Sequence, residues 1–159
     1  QGMDVDRRYW FSVVGYNYRM TNIQAAIGLA QMETIDRAIS DRNNLASMYD
    51  EALRPLEGSI VLPKCAVWAN QVFWMYNIFL RSGGEQRRDM VMKFLDAAGI
   101  ETRPVFYPMH IMPPYKEDAT YPVADLWAAR GINLPTHQLL RSDDVQRIAD
   151  ELSKALATK

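Results

Sequence analysis

Apolar residues recur at helical intervals over residues 23–53. Ile35, Ala38, Ile39, Leu45, Ala46, Tyr49, Ala52 and Leu53 fall on one stripe. Thr21, with Gln24 three residues on, has the spacing of a capping box, and Pro55 disfavours helix at Arg54. The pattern predicts one unbroken helix over 21–54. Such a length exceeds what a small domain needs; a helix of this kind bridges two domains, lines a subunit contact or packs in a core. Residues 1–20 carry no sustained period and are predicted to be an ordered loop rich in aromatics and arginine, Arg7 and Arg8 included.

Shorter elements follow. Residues 72–81 are aromatic and β-branched enough for a strand. Ser82-Gly83-Gly84-Glu85 should break it, with Ser82 capping the next helix. Met90, Val91, Phe94, Leu95 and Ala98 give that helix its apolar face, and Gly99 is its expected terminator. Residues 100–105 read as a short strand. Pro104, Pro108, Pro113 and Pro114 then make 104–114 a stiff, extended loop. Pro122 can open a helix that Gly131 closes, and 132–135 form a short strand. Ser142 is the expected cap of a last helix with the stripe Val145, Ile148, Ala149, Leu152, Ala155 and Leu156. The fold class is therefore α+β: a loop over 1–20, a long linking helix over 21–54, and over 55–159 a small domain whose mainly antiparallel sheet carries helices.

Composition narrows the function. Eighteen Lys and Arg face nineteen Asp and Glu, a net charge of −1, so no basic field exists for a nucleic-acid backbone. A single cysteine and two histidines argue against a disulfide framework and a structural zinc site. Cys65 is expected to be a small buried or half-buried apolar residue. No apolar run is long enough to span a bilayer and no signal segment is visible, which points to a cytoplasmic protein. The chain begins at Gln1 and not at Met, so it is expected to be a piece of a longer protein.

Two segments could carry chemistry. In Tyr16-Asn17-Tyr18-Arg19, an amide donor and a planar guanidinium precede a predicted helix start, an arrangement suited to a phosphate or carboxylate. The same residues fit a capped helix with a surface arginine. In the proline-stiffened stretch 103–110, Arg103, Tyr107 and His110 could contact a ligand, or the loop could fill the core. The lysines, Lys64, Lys93, Lys116, Lys154 and Lys159, stand in no setting that marks a cofactor lysine. No Ser-His-Asp or Cys-His arrangement is present, and no metal site is expected.

The stretch Tyr9-Trp10-Phe11-Ser12-Val13-Val14-Gly15-Tyr16-Asn17-Tyr18-Arg19-Met20-Thr21-Asn22-Ile23-Gln24, continuing to Glu33, resembles the signature of the DegT/DnrJ/StrS sugar aminotransferases. So do residues 99–110 and Gly131-Ile132-Asn133-Leu134-Pro135. The resemblance implies the C-terminal portion of a type I pyridoxal 5'-phosphate (PLP) enzyme, with the cofactor lysine on a segment preceding residue 1 and no catalytic residue of its own. It implies transfer of an amino group from glutamate to a 4-keto nucleotide sugar for surface polysaccharide synthesis, by a homodimer or larger assembly. Asn17 would reach the partner's PLP phosphate, and Arg19, Arg103, Tyr107 and His110 would lie by the substrate. The sequence departs from the family at Phe11, where His often follows the Tyr-Trp pair; a ring without donors cannot hydrogen-bond a sugar hydroxyl. Two rival expectations are a sugar dehydratase on the same scaffold, with histidine in place of the lysine, and a non-catalytic association domain.

Overall fold

A computed structural model describes residues 2–6 and 9–158; Gln1, Arg7, Arg8 and Lys159 lie outside the described residues. The chain divides into two compact units, residues 1–36 and 37–159.

The first unit is an irregular segment followed by helix α1 (Asn22–Met32). Thr21 caps α1 as expected: the Gln24 N–H donates to Thr21 Oγ1 at 3.3 Å, and the Thr21 N–H donates to Gln24 Oε1 at 2.9 Å. No residue of α1 is buried. The helix expected to run unbroken to residue 54 instead stops at Met32 and restarts as α2 (Ile35–Leu53). The reason is local. The backbone N–H of Thr34 and its hydroxyl both donate to Gln31 O, each at 3.2 Å, which tightens the chain by one residue and ends the α-helical ladder.

The second unit contains α2, a four-stranded sheet and three further helices. The strands are β1 (Ile60–Val61), β2 (Tyr76–Leu80), β3 (Arg103–Pro104) and β4 (Gly131–Leu134), in the order β1-β2-β4-β3, every pair antiparallel. The helices are α3 (Glu85–Ala97), α4 (Pro122–Arg130) and α5 (Ser142–Ala157). Side chains alternate across the sheet. Tyr76, Ile78, Leu80, Ile132 and Leu134 join the stripes of α2, α3 and α5 in one core, including Leu45, Tyr49, Leu53, Leu95, Ile148 and Leu152. Phe79 points the other way, with the Trp127 ring of α4 edge-on at 4.7 Å. On α3, Arg88 is buried; its Nη1 donates to Ala128 O at 2.9 Å while Asp89 takes the charge.

Several expected boundaries shift, each because a competing hydrogen bond takes a backbone group. The strand expected over 72–81 begins only at Tyr76. Before it, Trp74 N–H turns back to Val72 O, and the carbonyls of Phe73 and Trp74 accept from the side chains of Arg42 and Thr136. The strand expected over 100–105 shrinks to Arg103–Pro104, since the Ile100 N–H is spent on Leu95 O in the Schellman motif that Gly99, at φ +74°, makes possible. Ser82 does not cap α3. Gly84 does, without a side-chain bond, because Arg130 holds the preceding turn through Gly83 O and Arg81 O. Ser142 is the first residue of α5 and not its cap; Asp144 Oδ2 accepts from the Arg141 N–H at 3.0 Å. The loop expected over 104–114 contains two short 3-10 turns, Met109–Ile111 and Pro113–Tyr115. Strand β1 was not anticipated. Cys65, expected to be buried or half-buried, is exposed; its Sγ donates to Ala69 O at 3.0 Å. Pro122 does open α4, and Gly131 follows its last residue. A Cβ on Gly131 would lie 2.5 Å from both γ-carbons of Val105, so glycine is what lets the Val105 segment lie against β4.

The core contains an aromatic pair. Tyr49 and Tyr76, neither accessible to solvent, stack at 4.7 Å. The Tyr49 hydroxyl donates to Pro135 O at 2.8 Å and the Tyr76 hydroxyl to Asp50 Oδ1 at 2.5 Å. Burial raises both phenol pKa values well above the usual tyrosine range, and at Tyr76 the hydrogen bond to Asp50 adds to it. The sign for stability follows. A folded-state pKa above the unfolded one contributes stability that is complete below the unfolded value, near pH 10 or so, and is lost as pH climbs past it. Stability should fall above about pH 10 by roughly 1.4 kcal/mol per pH unit for each tyrosine. Alkaline titration followed by tyrosinate absorbance and circular dichroism checks this: these two phenols should ionise together with unfolding, and their ionisation in a chain that stays folded would contradict it.

Candidate functional site

The first unit places Asn17 and Arg19 together and in the open. Both are exposed, and Asn17 Oδ1 accepts the Arg19 N–H at 3.1 Å, a two-residue bridge that asparagine makes readily. In this side chain the carboxamide oxygen is the acceptor and the amide nitrogen the donor group. Tyr16 and Tyr18, the neighbours on alternate positions, stack at 5.9 Å. The loop thus presents an amide and a guanidinium just ahead of the N-terminus of α1, a donor set suited to a phosphate dianion. Phe11 is exposed as well.

In the second unit, Arg103 sits on β3 with its guanidinium exposed and 3.0 Å from Glu101. Its Cα partner across the sheet is Asn133 on β4. Arg103 and Asn133 share a cavity of about 680 Å³ with Trp74, Thr136, Arg42 and Arg147. Two of these residues fix a third: Arg42 Nη1 donates to Trp74 O at 3.3 Å and Thr136 Oγ1 donates to the same oxygen at 3.1 Å. The Phe106 and Trp74 rings stack with centroids 6.4 Å apart.

Tyr107 and His110 do not line this cavity. Tyr107 is exposed. The His110 side chain is only 10% exposed; its Nε2 lies 3.0 Å from Asp125 on α4 and its ring 4.8 Å from that of Tyr121. Tyr121 in turn donates to Glu117 Oε1 at 2.8 Å, which raises the phenol pKa. His110 therefore ties the 104–121 loop to α4. Sequence reasoning found Arg103 but missed Trp74, Asn133, Arg42, Thr136 and Arg147. They are scattered from residue 42 to 147, and only the strand register and loop closure bring them to one cavity.

Residues 1–153 match the DegT/DnrJ/EryC1/StrS aminotransferase family, and the chain belongs to that family. It is 49% identical over 158 residues to GDP-perosamine synthase of Caulobacter vibrioides, covering 98% of this chain and 43% of that protein. It is also 40% identical to GDP-perosamine synthase of Escherichia coli O157:H7, again over 43% of its length. The chain thus spans less than half the length of these relatives. The fold matches that of 3-amino-5-hydroxybenzoic acid synthase, with a TM-score of 0.83 and 21% identity over 97% of this chain and 44% of the other. It likewise matches the aminotransferase TlmJ of Streptoalloteichus hindustanus, with a TM-score of 0.80 and 24% identity over 94% of this chain and 40% of the other. Among the described residues, no helix is long and apolar enough to cross a membrane.

Proposed function

We propose that this chain is the C-terminal part of a cytoplasmic, PLP-dependent aminotransferase that moves an amino group from glutamate to a GDP-linked 4-keto-6-deoxy sugar, giving a perosamine-type product for surface polysaccharide. The observation that carries the proposal is the exposed Asn17–Arg19 loop within a chain that is 49% identical to a GDP-perosamine synthase. The exposure of α1 supports the view that the first unit is covered in the assembled protein: Ile23, Ile27, Leu29 and Met32 are each more than 60% exposed, an apolar display that a free surface seldom keeps.

The donor set fits the cofactor's phosphate. PLP, when bound, supplies the carbonyl and the electron sink that the exchange of amino groups requires. The Asn17 amide would donate to the phosphate of the cofactor held by a partner subunit, and Arg19 would supply charge at the same anionic pocket. Arg103 and Tyr107 would contact the nucleotide sugar. We assign His110 an indirect share, through its hold on the loop that carries Tyr107. The lysine that binds PLP covalently is placed outside this chain; Lys64, Lys93, Lys116 and Lys154 are all exposed.

The test is turnover. The full gene product carrying this chain, given glutamate and GDP-4-keto-6-deoxymannose, should form 2-oxoglutarate and the GDP-amino sugar in equal amounts, while the 159-residue chain by itself should form neither. A full gene product with neither turnover nor the visible absorbance of bound PLP would overturn the proposal. Turnover by the isolated chain would overturn the placement of the lysine.

A further inference from the structure

No residue over 105–121, the loop between β3 and α4, belongs to the core. Phe106, Tyr107, Met109, Ile111 and Tyr115 are each more than 50% exposed. Apolar packing therefore does little to fix this loop, and polar bonds take its place. The His110 carbonyl accepts the Glu117 N–H at 3.2 Å, Glu117 Oε1 accepts the Tyr121 hydroxyl at 2.8 Å, and the Tyr121 ring returns to the His110 ring at 4.8 Å. That circuit closes the far part of the loop on itself. Its tether to α4 is the imidazole, whose Nε2 lies 3.0 Å from Asp125 Oδ1. A carboxylate only accepts, so Nε2 is the donor.

One end of this tether is firmly seated. Buried Arg88 of α3 donates to Ala128 O, Trp127 packs edge-on against Phe79, and Arg130 holds the Arg81 and Gly83 carbonyls, so α4 is fixed to its neighbours. The other end transmits its position. Pro108 has a fixed φ, and the Ile111 N–H donates to Pro108 O at 3.3 Å to close the turn Met109–Ile111. Tyr107 stands just before that turn, so the seat of the imidazole governs where the phenol is presented. A loop already ordered loses less entropy on meeting a ligand than a loose one. We infer that Asp125 is a positioning residue: through His110 it latches the 105–121 loop and thereby sets the affinity for what Tyr107 meets, which on the nucleotide-sugar reading given above is the sugar substrate.

Two measurements on the full gene product test this, with Asp125→Ala and Asp125→Asn. The Asp125 side chain is 42% exposed, so neither variant touches the core. Both remove the charge from the first turn of α4, but asparagine keeps an acceptor for Nε2–H. The first measurement is the rate at which dilute trypsin cuts after Lys116, an exposed residue inside the loop, which follows the population of the opened loop. Asp125→Ala should be cut roughly fivefold faster than the parent, and Asp125→Asn at close to the parent's rate. The second is steady-state kinetics. Asp125→Ala should raise KM for the nucleotide sugar roughly fivefold, with kcat and KM for glutamate unchanged, and Asp125→Asn should restore most of the loss. Cleavage of Asp125→Ala at the parent's rate would overturn the latch, as would Asp125→Asn behaving like Asp125→Ala. A lower kcat, an equal rise in both KM values, or an unchanged KM for the sugar would overturn the positioning role. A parent without turnover would overturn the aminotransferase reading, while faster cleavage of Asp125→Ala alone would still support the latch.

Discussion

Tyr76→Ala should lower the unfolding free energy by about 3–5 kcal/mol, the range for deleting a fully buried aromatic ring. Tyr76 has no solvent exposure, stacks on Tyr49 at 4.7 Å and stands in the central strand β2, whose neighbours on both sides pack through it. Its loss opens a cavity between α2 and the sheet and strips Asp50 of its donor. Tyr76→Phe keeps the ring and removes one hydrogen bond, so it should cost only about 1–2 kcal/mol. Domains are stable by roughly 5–15 kcal/mol, so the alanine variant spends much of that margin. Urea unfolding of the two variants against the parent decides it. An alanine variant within about 1 kcal/mol of the parent would mean that α2 and β2 do not share a close-packed core.

Asn17→Asp should weaken PLP binding by the full gene product about a hundredfold, since it sets a carboxylate where an amide would face a phosphate dianion. Aspartate keeps the oxygen that accepts the Arg19 N–H, so the loop is retained and the charge is the change that matters. Asn17→Ala removes the donors without adding charge and should weaken binding by only about tenfold. Both residues are exposed in this unit, so neither substitution disturbs a core. The measurement is titration of the apoenzyme with PLP, followed through the cofactor's absorbance. Asn17→Asp binding PLP as tightly as the parent would remove Asn17 from the phosphate site.

Much of the fold was legible because local chemistry and packing agree. The Thr21–Gln24 box starts α1, Pro122 opens α4, Gly99 ends the helix before β3, and the α5 stripe is the buried one, with Val145, Ile148, Ala149 and Leu152 all in the core. The family was legible too, because residues 9–24 hold a motif whose spacing survives without any structure. What failed were boundaries where a competing hydrogen bond takes a backbone group, some of them local, as at Thr34 and Ile100, and some from side chains distant in sequence. Arg42 lies 31 residues from Phe73 and still removes its carbonyl from β2, and no window of sequence contains both.

The sequence by itself determined the helical segments, though not the break between α1 and α2, together with the class of sheet and the Asn17–Arg19 loop, since propensity, capping and periodicity act over a few residues. Only the tertiary structure decided that Arg103, Asn133 and Trp74 border one cavity, and that His110 is spent on Asp125. Pairing register and chain closure set those neighbours, and both are properties of residues far apart along the chain.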